Sequence, residues 1–313
     1  MATAIDLERV RGLIGEVERN GQMPPSKQTL LLTNLRDQLN VPNNTFSLRQ
    51  VTGSGIDHNQ SQRFNPNLRS VFQPGFFSLR GATGGSAIVD FANDRFGGGT
   101  LGPNGFAQEE KLLLETNLVP LAGAFTNLSR DPLYLQALQT HEFVGQGRNI
   151  YGNSRLGSRG NTIDRVDISP SNVSQYLQRV DPARNVNLIA MAALNMRRKG
   201  WREYKHSNLT QMFDTAYKAF RTHAEKGGQE VHTGAWGAGT FGNSENLTCV
   251  LQVLAAQAAG IRLIYHGSQD AYESGIRYLR GKYIVGQSYN TVFDSLSDYM
   301  QRRHTGSQFW RPQ

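Results

Sequence analysis

Cysteine is almost missing from this chain: Cys249 is the only one in 313 residues. No intramolecular disulfide can form, which excludes a disulfide-stapled secreted scaffold. Cys249 stands in an apolar, helix-like run and reads as a small buried hydrophobe rather than a nucleophile. Long apolar runs are missing too. None approaches the roughly 18 residues needed to cross a bilayer. Residues 1–18 mix acids and bases without the apolar stretch of a secretory leader. A cytoplasmic protein is expected, and one exported without a cleavable signal would read the same. The 7 His are scattered, and nothing resembles a metal-ligand cluster. Internal repeats are absent as well.

The length suffices for one large domain, or a domain with an appendage. Hydrophobic residues make up 38%, enough for an ordinary globular core. The formal charge of +8 favours anionic partners. Nucleic acid and a polyphosphate polymer satisfy that condition equally. No nucleic-acid motif stands out, so no specific nucleic-acid partner is expected, and no membrane partner either.

Hydrophobic spacing predicts helices over residues 4–20, 27–39, 106–115, 209–225, 246–259, 271–280 and 288–301, and strands over 86–93, 186–193, 230–233 and 262–266. Alternation of the two implies an α/β layered domain. Residues 40–70 are polar and aperiodic, and read as a long loop. Residues 145–162 are rich in Gly, Asn, Ser and Arg, and read as an exposed loop in which Arg148, Arg155, Arg159 and Arg165 form a solvated basic stretch. The expected division is a helical extension with a polar loop over 1–75 and the main domain over 76–313.

The most informative segment is VDFANDRFGGGTLGPNGFAQEE, from Val89 to Glu110. Asp90 and Asn93 come at the end of a strand, where side chains reach a crevice. Gly97, Gly98 and Gly99 let the backbone approach a ligand and expose amide groups. Gln108, Glu109 and Glu110 open a helix. The two carboxylates point to different sides of that helix, yet both can face a ligand lying across its end. A general acid and a transition-state stabiliser at a glycosidic bond require such a pair. An ordinary Glu pair at a helix start would merely cap it and favour its dipole. A second Gly-rich block, TGAWGAGTFG over Thr233–Gly242, precedes a small-residue helix and makes an anion-binding concavity.

The joint pattern resembles the poly(ADP-ribose) glycohydrolase family. Three glycines, eight residues and then Gln-Glu-Glu match its signature, as does Val89-Asp90-Phe91-Ala92-Asn93 before them. The second block is similar to the family's Thr-Gly-x-Trp-Gly-x-Gly-x-Phe-Gly segment. The likeness covers roughly residues 86–280. It implies a macrodomain-like mixed sheet flanked by helices, and hydrolysis of the ribose–ribose bonds of poly(ADP-ribose), or of ADP-ribosylated protein, with ADP-ribose released and no cofactor. Carried across, Glu110 would be the general acid and base, and Glu109 would bind ribose hydroxyls. Asp90 and Asn93 would orient the glutamates and ligand groups, and Gln108 would bind substrate. Gly97, Gly98, Gly99, Gly234, Trp236, Gly237 and Gly239 would line the diphosphate, and Phe241 would position the distal ribose. Phe143 and Tyr151 are candidates for stacking on adenine.

One departure stands out. Where the family has Asn between Gly and Trp, this chain has Ala235. That change suits an altered substrate choice, such as mono-ADP-ribosylated protein, or a non-catalytic ADP-ribose reader. Residues Gly237–Gly242 also fit the G-x-G-x-x-G of dinucleotide-binding enzymes. Too few residues remain after them for a doubly wound sheet, and strand 262–266 ends without an acid.

Overall fold

The computed structural model describes residues 2–41, 44–56, 69–75, 78–79, 82–103, 107–143, 167–281 and 284–303. Its strands are β1 (Ala2–Ala4), β2 (Thr45–Gln50), β3 (Ser70–Phe72), β4 (Ser86–Ala92), β5 (Leu133–Phe143), β6 (Leu177–Ala192), β7 (Glu230–Thr233) and β8 (Arg262–Tyr265). They form one mixed sheet in the order β1-β2-β5-β6-β4-β7-β8-β3. The run β6-β4-β7-β8-β3 is parallel, while β1, β2, β5 and β6 pair antiparallel. The parallel half gathers the C-terminal ends of β4, β6 and β7 along one rim, where crevices form in α/β sheets.

Strand periodicity sorts the core into two layers. Ala87 and Val89 of β4, with Ile189 and Met191 of β6, face one side. Ile88 and Ala92, with Leu188, Ala190 and Ala192, face the other. Helices α5 (His206–Glu225), α6 (Glu245–Ala259), α7 (Gln269–Leu279) and α8 (Tyr289–Arg303) cover the first face. Helices α1 (Leu7–Arg19), α2 (Pro25–Gln38) and α3 (Gln108–Glu115) cover the second. A short helix, α4 (Met196–Lys199), comes after β6. Helix α6 explains its own small-residue composition: Cys249, Ala255, Ala256 and Ala259 are all buried, so the helix packs closely on both sides. Gly260 ends it in a left-handed turn at φ 73°.

The α/β sheet flanked by helices matches the sequence reading, and the structure extends it in three places. Residues 40–70 read as loop from the sequence, yet they contain β2 and the first residue of β3. Phe46 is the one buried residue of β2, too weak an alternation to betray a strand. Strand β5 carries no expectation at all. Strand β6 begins at Leu177, nine residues ahead of the apolar run, because residues 178–185 are mostly solvent-exposed and are held by backbone pairing to β5. The segment before residue 76 thus supplies two helices and three strands to the same sheet. The expected basic loop at 145–162, with Tyr151 and its arginines, lies outside the described residues, as does Phe106.

A polar network ties α2 to the sheet. The Asp37 carboxylate accepts from His141 Nε2 at 2.9 Å and from Arg179 Nη1 at 3.2 Å. The His141 hydrogen bond is the main cause holding the Asp37 pKa below its ordinary value. A carboxylate whose pKa falls on folding stabilises the native state above its unfolded pKa, and loses that effect as pH drops through the folded value. Asp37→Asn is therefore expected to cost about 1–3 kcal/mol at pH 7. The gap to wild type should close below a pH of about 4. Urea denaturation at both pH values checks this, and a pH-independent gap would contradict it.

Candidate active site

The site begins with α3, a helix of eight residues whose first turn carries Glu109 and Glu110. Both side chains are buried, at 4% and 6% exposure. Neither caps the helix into solvent, as an ordinary acidic pair would. The Glu109 carboxylate accepts the N–H of Asn93 at 2.9 Å and of Gly97 at 2.6 Å. Glu110 accepts the N–H of Gly99 at 2.9 Å and of Ala107 at 2.8 Å. The Ala107 contact is a capping-box bond, so capping and site geometry coincide in one residue. Gln108 serves the strand: its Oε1 accepts from Phe91 N at 2.7 Å and its Nε2 donates to Val89 O at 2.8 Å. These two groups lie beyond the last rung β4 shares with β7, Ile88–His232.

The three glycines have a different use from the expected one. All their amides are occupied inside the protein: Gly97 by Glu109, Gly98 by Arg95 O at 3.1 Å, and Gly99 by Glu110. They cradle carboxylates rather than offering free donors. The close approach needs glycine. A Cβ on Gly98, at φ 42°, would lie 2.5 Å from Glu109 Oε2 and 3.2 Å from Glu110 Oε1.

Asp90 completes an acidic cluster. It is 2% exposed, and its Oδ1 has no hydrogen-bond partner. Burial first, and then the neighbouring Glu110, push the Asp90 pKa well above the usual carboxylate range. Glu109 is pushed up by burial, then by Asp90 and Glu110, against the pull of its two backbone donors. Such a cluster retains a proton where isolated carboxyls would lose theirs. Asn93 and Gly98 are exposed and form the mouth.

Across the rim, the second Gly-rich block leaves the end of β7. Its shape is set by Asn243, whose Nδ2 donates to Leu194 O at 2.8 Å and to Gly237 O at 3.3 Å. Gln252 Nε2 donates to Gly234 O at 3.1 Å. Gly237 adopts φ 67°, and a Cβ there would lie 2.4 Å from that of Ala193. The backbone N–H groups of Gly237, Gly239, Thr240 and Phe241 have no partner among the described residues. Amides left unpaired in a glycine-rich turn can donate hydrogen bonds to an anion's oxygens. Exposed Arg197 borders it, with Nη2 donating to Gly239 O at 3.2 Å. The two blocks meet at a cavity of about 60 Å³ lined by Phe91, Ala92, Ala193, Trp236, Gly237, Thr240 and Phe241.

Trp236 lines that cavity. Its ring is fully buried and its Nε1 donates to Met191 O at 3.1 Å. Its one polar atom is paired, so the side chain shapes the crevice and offers no bond to a ligand. Phe143, suggested for stacking, packs against the core beneath α1–α3. A larger open groove of about 400 Å³ runs along α7, bounded by Tyr272, Glu273, Ile276, Arg277 and Arg280. It contains none of the motif residues, so the smaller crevice is the better candidate. Among the described residues no group of His, Cys, Asp and Glu is arranged to hold a metal ion. None of the helices there is long and apolar enough to cross a membrane.

Lys27, Asn243 and Gln252 escaped the sequence reading. Lys27 stands three and four residues before Leu30 and Leu31, on the same helical face as two core leucines. That spacing is the signal that could have marked it as buried. Asn243 and Gln252 act through backbone carbonyls and leave no such trace.

A family model described as "Poly (ADP-ribose) glycohydrolase (PARG), Macro domain fold" matches residues 71–274 of the chain. No curated protein matches it. Among solved structures, the poly(ADP-ribose) glycohydrolase of Thermomonospora curvata is 15% identical, over 87% of this chain and 98% of that one, with a TM-score of 0.44. The enzyme of Deinococcus radiodurans, solved in complex with ADP-ribose, is 18% identical, over 75% and 94%, with a TM-score of 0.46.

The acidic cluster carries a stability signature. A carboxyl whose pKa rises on folding destabilises the native state above its unfolded pKa, and the cost is relieved as pH falls. Asp90→Asn is therefore expected to stabilise the protein at pH 7 by on the order of 1 kcal/mol, about 2 °C in Tm. The gain should shrink as pH falls towards 4. Glu109→Gln should show no such gain, because an amide NH2 would face one of two backbone donors. Thermal melts of both variants from pH 4 to 8 test this; a larger gain for Glu109→Gln would reverse the assignment.

Proposed function

Because the chain belongs to the poly(ADP-ribose) glycohydrolase family, we propose that it hydrolyses the ribose–ribose O-glycosidic bonds of poly(ADP-ribose) and releases ADP-ribose. One observation carries the reading: Glu109 and Glu110 are clamped side by side at the rim that also bears a run of unpaired amides. In this proposal the diphosphate accepts from the N–H groups of Gly237, Gly239, Thr240 and Phe241, and the Phe241 ring supports the distal ribose. Glu109 binds ribose hydroxyls, with Asn93 at the mouth beside it. The N–H groups of Asn93, Gly97, Gly99 and Ala107 hold the two glutamates in place, Gln108 fixes the end of β4, and Asp90 stands beside Glu110.

Glu110 then gives its proton to the leaving ribose oxygen as the C–O bond breaks. The sugar carbon gains oxocarbenium character, which the neighbouring carboxylates offset. The resulting Glu110 carboxylate takes a proton from water, whose oxygen adds to that carbon, and the acid is restored. Burial and mutual repulsion favour the protonated forms of Asp90 and Glu109 beside Glu110. The +8 charge favours capture of a polyanion.

Ala235 favours a second reading. The loop lacks the amide side chain the family carries there, so its grip on a ligand rests on backbone donors. Mono-ADP-ribosylated protein would then be the substrate of the same machinery.

Incubation with defined poly(ADP-ribose) and with mono-ADP-ribosylated protein, with products resolved chromatographically, separates the two. Free ADP-ribose from polymer supports the first reading. Release from modified protein alone supports the second, and binding without release would leave only a reader. Glu110→Gln is expected to lower kcat by roughly 10²–10⁴-fold while ADP-ribose binding persists. Full activity in that variant would remove Glu110 from the acid role.

A further inference from the structure

The helices α1 and α2 lie wholly outside the matched residues 71–274. They nevertheless reach into the glycine loop. Lys27, in the first turn of α2, is fully buried. Its Nζ donates to Gly99 O at 2.7 Å and to Gly102 O at 3.0 Å. Asn20, at the end of α1, donates from Nδ2 to Leu101 O at 3.3 Å. Arg9 donates from Nε to Pro120 O and from Nη2 to Ala122 O at 3.2 Å. Ala122 is the residue against which Gly97 packs. The N-terminal helices thus hold the loop at its centre, on its far side and from beneath.

Burying an ammonium group is costly unless strong acceptors meet it. An apolar side chain of similar length would fill the same space on α2 without that cost. The position of the acceptors is therefore informative. Gly99 donates its N–H to Glu110 Oε1, and its carbonyl accepts from Lys27 and, at 2.9 Å, from Gly102 N. A glycine has little intrinsic preference for one backbone conformation, so its two peptide planes turn easily about Cα. The turn is therefore held only by anchors on both sides of that Cα: the Gly97 and Gly98 N–H groups are bonded before it, and Lys27 fixes the Gly99 and Gly102 carbonyls after it.

We propose that Lys27 is a positioning residue of the site: by fixing the Gly99 and Gly102 carbonyls from a helix outside the family segment, it sets the direction of the Gly99 N–H that orients Glu110. This rests on the glycohydrolase reading above. Lys27 touches no substrate. Its bonds to Gly99 and Gly102 act on the rate of the chemical step rather than on binding at the second glycine-rich block.

The test is Lys27→Met in the full chain, with kcat on the released-ADP-ribose assay, Kd for ADP-ribose by calorimetry, and hydrogen exchange of peptides covering residues 97–103. The proposal expects kcat to fall by about 10²-fold, Kd to change by less than about threefold, and exchange to quicken in that loop. A folded variant with wild-type kcat overturns it. So does one that loses ADP-ribose binding as far as it loses rate, because that marks a general structural role. Should Lys27→Met fail to fold, Asn20→Ala decides: it removes a weaker tie to the same loop, and must lower kcat by about threefold to tenfold with Kd held. A wild-type kcat there overturns the proposal. If the wild-type protein hydrolyses neither substrate, the glycohydrolase reading falls; faster exchange confined to 97–103 in Lys27→Met then supports the anchoring, and unchanged exchange overturns it.

Discussion

Four backbone N–H groups hold two adjacent carboxylates in this protein, and the order of the rim depends on that arrangement. Asn93 and Gly97 grip Glu109, while Gly99 and Ala107 grip Glu110. Each donor comes from a segment that must be fixed before the carboxylate can be. Asn93 stands just past the end of β4, the glycines are fixed by close packing on Ala122 and by Lys27, and Ala107 is the first residue before α3. The carboxylates repel one another and are poorly solvated, so the fold opposes their natural tendency to separate. Backbone donors suit this task, since their direction is set by the chain and cannot rotate away.

The two glycine-rich blocks divide the work. In the first, glycine is needed because side-chain oxygens pass within van der Waals distance of the backbone. In the second, glycine lets a loop turn so that several amides point outwards with nothing to bind. Sequence composition makes these blocks look alike. Their hydrogen bonds make them opposite: the amides of Gly97, Gly98 and Gly99 are all bonded, and several in the second block have no partner among the described residues. The cavity between them is small, and its walls are mostly apolar apart from Thr240 and the loop backbone.

Much of this was legible in the sequence, for reasons that can be named. The parallel strands β4 and β8 announced themselves through short apolar runs, β7 by its place just before the second glycine-rich turn, and α1, α5 and α7 through strong helical periodicity. The glutamate pair was visible because its spacing from three glycines is unusual. The elements that escaped are held by backbone rather than by pattern. The first half of β6 is mostly exposed and reads as polar coil, yet it pairs with β5 over nearly its whole length. Strand β2 buries one residue. Trp236 was placed at the site by resemblance alone; nothing in its local pattern showed that its ring would be fully buried with its N–H on Met191 O. Lys27 was hidden by its charge, since a lysine is by default placed in solvent.

The order of the sheet bears on how the chain can be made. Its two rims, β1-β2 and β3, are both built from residues before 76, while the centre is built from residues 86 onwards. Strand β3 pairs with β8, so Ser70 must wait for Leu263. A ribosome releases the N-terminal residues first, yet their partners emerge much later. The opening segments therefore spend a large part of synthesis with unpaired strand edges and uncovered leucines, the condition under which nascent chains associate wrongly or recruit chaperones. The β3–β8 rungs cannot form until Tyr265 has been made, so that edge of the sheet has to wait for roughly two hundred intervening residues before it finds its neighbour.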